Sequence, residues 1–152
     1  MGMLIRDLRP DDRDAVREAL TTCGAFNEEE VTVAIELFDD GTYPHFGVEL
    51  EGRIRGYVCM VKTTLTRSTW HLYWICVHPI AQRRGLGRAL EAYAVRFARE
   101  RGGERLVIET SGRPDYEGAR AFYRQAGYRE AGRIPDYYAA GDDCIYYYRL
   151  IA

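Results

Sequence analysis

Two glycines in the string Gln82-Arg83-Arg84-Gly85-Leu86-Gly87-Arg88-Ala89-Leu90 stand where they can do chemistry. The string follows the apolar run Leu72 to Val77 and opens a helix-patterned segment. A strand, a glycine-rich turn and a helix start together build a site for phosphates. The first-turn amides of a helix have no partner within it, and the helix dipole adds partial positive charge there. Lacking side chains, Gly85 and Gly87 let an anion come close to the backbone. Arg83, Arg84 and Arg88 could add charge-assisted contacts, or could be solvated residues of a helix start. Other owners of such glycines fit less well. A dinucleotide fingerprint needs a third glycine or alanine where this chain has Leu90. A P-loop needs Gly-Lys-Ser/Thr, which is absent. A kinase loop needs the rest of its signature, for which the chain is too short. A chance glycine pair in a helix stays open at this point.

The elements around the string follow from spacing. Leu4 to Leu8 alternate like a strand. Pro10 and the acids after it suit a helix start, with Val16, Ala19 and Leu20 on one face. Asn27 and Glu30 form a capping box, and Val31, Ile35 and Phe38 give the next helix its apolar stripe. Phe46 to Leu50 and Ile54 to Leu65 read as strands joined by Glu51-Gly52-Arg53. Trp70 to Val77 is a further strand, closed by His78-Pro79. Leu86, Leu90, Ala94, Phe97 and Ala98 predict an amphipathic helix over Gln82 to Arg101, stopped by Gly102-Gly103. Leu106 to Thr110 reads as a strand and Asp115 to Gln125 as a helix stopped at Gly127. Tyr128 to Ile134 and Cys144 to Leu150 read as strands flanking a loop, Pro135 to Asp143.

Composition bounds the class. The chain has 152 residues, of which 47% are apolar, as in a globular chain with one full core. No repeat or domain boundary appears, so residues 1–152 are expected to form one domain. Net charge is −2 with no basic tail, so nucleic acid is not an expected partner. Lys62 is the only lysine, a skew that base composition explains as well as phosphate recognition does. The four cysteines and three histidines do not cluster, which argues against a metal site or a disulfide scaffold. No apolar run reaches signal or membrane length, so a cytoplasmic protein is expected. Gly2 lacks the Ser or Thr of a myristoylation site.

The Gln82–Leu90 string after "YWICVHP", then "RLVIETS", then "ARAFYRQAGYRE", resembles in order the motifs of the GNAT acetyltransferase superfamily. The resemblance spans roughly Tyr57 to Arg149. Within the superfamily the chain looks most like the ribosomal-protein N-terminal-alanine acetyltransferases, which share the string and a late Tyr-Tyr loop. The resemblance implies an α/β fold with a mixed seven-stranded sheet. Its order is strand, two helices, three strands, helix, strand, helix, two strands. Strands four and five splay apart around the pantetheine arm of acetyl-CoA. It implies that the amides of Arg83 to Arg88, with Gln82, hold the pyrophosphate. The backbone of Ile75, Cys76 and Val77 pairs with the pantetheine like an added strand. No metal is implied.

Acetylating an alkylamine requires deprotonating it, since near pKa 10.4 it is mostly charged at neutral pH. Glu109 takes the place of the family's glutamate and is the candidate base, its pKa expected to rise by burial. A strand-face glutamate in water is the plain alternative, with Asp115 or a water relay as substitute base. Tyr123 closes the Ala119-x-x-x-Tyr123 match and is the candidate acid for the leaving thiolate, or else a core tyrosine. Tyr116 stands where the family has an asparagine seven residues before that tyrosine, and the link from Glu109 is two residues longer. Tyr116 is therefore expected at the cofactor or at the acceptor mouth. Trp70, Tyr73, Trp74, Tyr137 and Tyr138 could wall an acceptor pocket, with Asp136, Asp142 and Asp143 drawing in a cationic amine. The acceptor would be a small-molecule amine or a protein N-terminus, and a homodimer is left open. The rival from another class is a catalytically silent CoA-binding sensor or interaction module.

Overall fold

A computed structural model describes residues 2–152. The strands are β1 (Leu4–Asp7), β2 (His45–Leu50), β3 (Arg53–Lys62), β4 (Thr69–Val77), β5 (Arg105–Ser111), β6 (Arg129–Ala139) and β7 (Asp142–Leu150). The helices are α1 (Arg13–Thr22), α2 (Glu28–Asp40), α3 (Leu86–Glu100) and α4 (Glu117–Gln125). Three short 3-10 turns, Pro10–Asp12, Pro79–Ala81 and Pro114–Tyr116, lead into α1, the glycine-containing turn before α3, and α4. The seven strands lie in the order β1-β2-β3-β4-β5-β7-β6. The β4–β5 pair is parallel, while β1–β2, β2–β3, β5–β7 and β6–β7 are antiparallel. Element order and mixed sheet are those expected from the sequence. The chain falls into two compact units, Met1–Val61 with Leu72–Phe97, and Lys62–His71 with Ala98–Ala152.

In the first unit, strands are covered on both faces. Ala15, Val16, Ala19 and Leu20 of α1 and Val31, Ala34, Ile35 and Phe38 of α2 pack with Tyr57, Cys59 and Cys76. On the other face, Phe46 lies with its ring 4.8 Å from those of both Tyr93 and Phe97 of α3. This double cover explains why β3 reads as a continuous apolar run rather than an alternating one. A Cβ on Gly56 would lie 2.7 Å from Val48 Cγ1, 3.0 Å from Leu90 Cδ1 and 3.2 Å from the Cys76 carbonyl. Glycine there lets α3 come down on the strands. The Asn27 capping box is closed in both directions, at 2.8 and 3.0 Å. Gly41 ends α2 with a left-handed φ of 73°.

In the second unit, β4 and β5 share three ladder pairs, Thr69 with Arg105 to His71 with Val107. β5 then runs antiparallel to β7 from Arg105 with Leu150 to Ser111 with Cys144. Leu106, Ile108, Ile145 and Tyr147 are buried, and the Tyr123 ring of α4 lies 6.2 Å from that of Tyr147. A Cβ on Gly103 would sit 2.8 Å from Trp70 Cδ1. Trp70 is thus a buried core residue.

Three boundaries differ from the sequence reading. α3 begins at Leu86 rather than Gln82, because Arg83 and Gly85 adopt left-handed φ values of 65° and 78° that no helix accepts. β3 ends at Lys62, and Leu65 lies in a turn with φ 65°. The predicted Pro135–Asp143 loop is mostly strand. β6 continues to Ala139 and β7 begins at Asp142, with a bulge where the register passes from Ile134–Cys144 to Ala139–Asp142.

Candidate active site

The predicted phosphate turn lies in the first unit, at the end of β4. The His78 amide donates to the Arg55 carbonyl at 2.7 Å, and its Nδ1 accepts from the Ile80 amide at 3.1 Å. The Gln82 side chain donates back to the Val77 carbonyl at 3.0 Å. The backbone then turns through left-handed Arg83 and Gly85, and the Ala89 amide donates to the Gly85 carbonyl as the first bond of α3. The amides of Leu86, Gly87 and Arg88 therefore form the first helical turn, where no intrahelical acceptor exists. No protein atom lies within 4 Å of a Cβ built on Gly85, so glycine is demanded there by φ and not by crowding. Gln82, Arg83, Arg84 and Arg88 are exposed, whereas Leu86 is buried and anchors the turn. Ile75 and Val77 are half-buried, and Cys76 is buried in the core shared with α1 and α2.

Trp74 packs edge-on against Phe26 with ring centroids 5.5 Å apart, and Tyr73 lies 6.1 Å from Tyr43. Both contacts lie within the first unit, between β4 and the segments flanking α2.

Glu109 lies in the second unit, on β5. It is exposed rather than buried, because strand alternation puts Ile108 and Thr110 inside and Glu109 outside. Its cross-strand neighbour is Tyr146. The Cys144 thiol donates to Glu109 Oε2 at 3.6 Å, and the Tyr138 hydroxyl donates to the Cys144 sulfur at 3.6 Å. Burial pushes the Tyr138 and Tyr146 phenols and the Cys144 thiol up from their ordinary values, and the Glu109 charge adds to each. Burial pulls His71 down, against the opposing pull of Glu109.

Tyr123 is on the other face of the same strand pair. It packs on Tyr147, whose ladder partner is Ile108, while Glu109 pairs with Tyr146. Burial alone pushes its phenol far up, so it keeps its proton at any assay pH. Tyr116 is half-buried at the N-cap of α4.

The three late aspartates hold the hairpin together. Asp143 accepts from the Asp136 amide at 3.0 Å and from Arg133 at 3.1 Å. Asp136, at φ 55°, accepts from the Gly141 amide at 2.8 Å, and Asp142 accepts from the Ser111 hydroxyl. These contacts shape the bulge. Tyr137 and Tyr138 are exposed on that bulge of β6, with ring centroids 5.0 Å apart.

The sequence pattern of the acetyltransferase (GNAT) family matches residues 8–128. The chain belongs to the GNAT acetyltransferase family. Among solved structures, this GNAT acetyltransferase resembles a GNAT-family protein from Desulfovibrio desulfuricans. The two share 36% identity and a TM-score of 0.95, over 99% of this chain and 100% of that one. It shares the fold of the ribosomal-protein-S18-alanine N-acetyltransferase from Escherichia coli, at 24% identity and TM-score 0.81, over 99% and 95% of the two chains. It also shares the fold of yncA from Salmonella typhimurium, solved with its cofactor acetyl-CoA. The values there are 20% identity and TM-score 0.75, over 100% and 95% of the chains. No curated protein sequence matches it. Among the described residues no group of three or more His, Cys, Asp or Glu could hold a metal, and no helix is long and apolar enough to cross a membrane.

Sequence reasoning on this GNAT acetyltransferase missed two residues. Arg120 is buried in α4 and donates to the carbonyls of Ser111 at 2.6 Å and Arg113 at 2.9 Å, and to Glu117 at 3.0 Å. It ties the end of β5 to the helix that carries Tyr123. An arginine one turn before Tyr123 on an apolar helix face was the available signal. Cys144, beside Glu109, had none, because the β7 register that brings it there is set by the bulge.

Proposed function

We propose that this chain transfers the acetyl group of acetyl-CoA directly to a primary amine, either a small molecule or a protein N-terminus. The observation that carries the reading is the turn after β4. Left-handed Arg83 and Gly85 deliver the first-turn amides of α3 to the end of that strand, an arrangement suited to a pyrophosphate. Gln82, Arg83, Arg84, Gly85, Leu86, Gly87 and Arg88 hold the diphosphate, with Tyr116 near the cofactor. The backbone of Ile75, Cys76 and Val77 pairs with the pantetheine. The β4–β5 ladder ends at His71 and Val107, before Ile75 is reached. Residues 1–152 are read as a single acetyltransferase domain.

In the reaction, Glu109 accepts a proton from the ammonium group, directly or through water. The amine nitrogen attacks the thioester carbonyl, the carbon–sulfur bond breaks, and Tyr123 donates its phenolic proton to the departing CoA thiolate, while the second proton lost by the acylated nitrogen returns through water to the phenol. All four cysteines are free, which fits a reducing compartment such as the cytoplasm.

The test has two arms. Calorimetry with acetyl-CoA is expected to show binding to the wild type and its loss in Gly85→Val, whose circular dichroism stays native. Retained binding in that variant removes the donor assignment. CoA release is then followed over a panel of amines and peptides. Glu109→Gln and Tyr123→Phe are each expected to lower kcat by roughly 10²-fold or more, the size of a lost general base or acid. Binding without turnover by any acceptor is the result that a silent CoA-binding module predicts.

A further inference from the structure

An exposed carboxylate on a strand has several rotamers open to it, and each costs entropy to select. Glu109 is such a carboxylate, yet one of its oxygens is met by a buried donor. Cys144 is fully buried and is fixed by the register of β7 against Ser111 on one side and Ile134 on the other. Its thiol donates to Glu109 Oε2 at 3.6 Å, an ordinary length for sulfur. Burial is the main cause that pushes this thiol up, which keeps it an S–H donor through the neutral range.

The Cys144 sulfur is itself met by the Tyr138 hydroxyl at 3.6 Å. Tyr138 reaches it because of the bulge. Between Ile134–Cys144 and Ala139–Asp142, β6 carries four residues, Pro135 to Tyr138, where β7 carries Asp143 alone. Asp143 and Asp136 pin that excess backbone with their own hydrogen bonds. The other groups whose charge couples to Glu109 are His71 on β4 and Tyr146 on β7.

We propose that Cys144 and Tyr138 are positioning residues, a hydrogen-bonded chain from the β6 bulge through the thiol that aims the Glu109 carboxylate at its amine. The inference rests on the reading of Glu109 as base. It adds the residues that fix the carboxylate's direction and assigns the bulge a part in catalysis.

Cys144→Ala, Cys144→Ser, Tyr138→Phe and the double variant Cys144→Ala with Tyr138→Phe test it. In steady state, Cys144→Ala and Tyr138→Phe each lower kcat roughly three- to tenfold, the size of one lost hydrogen bond, with the KM for acetyl-CoA unchanged. The double variant is no worse than Cys144→Ala alone, because both break the same chain. Cys144→Ser, which keeps a donor, retains more activity than Cys144→Ala. A second readout needs no turnover. In the free protein at fixed pH, the carboxyl carbon resonance of Glu109 moves in Cys144→Ala and in Tyr138→Phe. If the resonance stays put in both, the chain does not exist. If it moves and kcat does not, the chain has no catalytic role, and the proposal falls either way. If instead the resonance moves and Glu109→Gln keeps full kcat, it is the base assignment that fails.

Discussion

Cys23 and Cys76 form a thiol pair in the first unit, and their hydrogen bond shifts the two groups in opposite directions. A hydrogen bond with Cys76 is the main cause that pulls Cys23 below the usual cysteine value, and the same bond drives the buried Cys76 up. A thiolate is the reactive form, and Cys23 is half-buried rather than enclosed. Cys23 is therefore expected to be alkylated first by iodoacetamide near neutral pH, with its rate lowered by Cys76→Ala. Site-resolved mass spectrometry reads this, and an unchanged rate in the variant would sink it. None of this pairing was visible in the sequence, where the two cysteines stand 53 residues apart. Glycine roles were more legible. Gly85 is needed for a left-handed φ beside a helix start, and that need is local. Glu109 was legible as a strand residue. Its exposure was not, since which face of β5 is covered depends on α4 and β7.

At the scale of elements, strong local signals translated directly. The Asn27–Glu30 box, the Gly41 stop and the helical stripes of α1 and α2 all involve residues within a few positions of one another. The misplaced start of α3 has a different origin. Gln82 to Gly85 carry no residue that forbids a helix, and the apolar spacing of Leu86 and Leu90 extends the pattern backward. The backbone instead closes the Pro79–Ala81 turn and reverses hand at Arg83 and Gly85. The continuation of β6 and β7 into Pro135 to Asp143 was missed for the same kind of reason. Pro135 and Gly141 punctuate it like a loop, while cross-strand pairing overrides them. Packing of α3 makes a sharper prediction. Gly56→Ala puts a methyl group 2.7 Å from Val48 and 3.2 Å from a carbonyl of β4. It should cost about 1–3 kcal/mol, the usual size for overpacking, in the urea midpoint. A loss near zero would mean that α3 is free to withdraw.

For the molecule as a whole, acid stability should depend on Asp12. Arg6 holds this carboxylate in two hydrogen bonds, at 2.9 and 3.0 Å, and reaches Glu49 at 3.4 Å. The hydrogen bond from Arg6 is the main reason its pKa is lowered. A lowered folded pKa gives stability that is present above the ordinary carboxylate range and lost as pH falls through the folded value. Arg6→Met should therefore lower Tm at pH 7, and the gap to wild type should close below about pH 4. A gap that stays constant down to pH 3 would assign the effect to packing instead. The order of elements was legible across this scale because each strand and helix carries its own periodicity, whereas the mixed sheet followed from the family resemblance. The ladder registers were not, because they join segments far apart in the chain.

The bulge in β6 has a bearing on solubility. This strand is the last in the sheet order, runs eleven residues and is exposed along nearly its whole length. A flat outer strand of that length is a template on which another chain can add itself, and so a seed for fibrils. Pro135 offers no amide there, and the backbone at Asp136, with its φ of 55°, breaks the straight run of donors and acceptors. The same irregularity that brings Tyr138 to Cys144 denies a stray β-strand a long register to copy, so the chain can carry an open rim without growing at it.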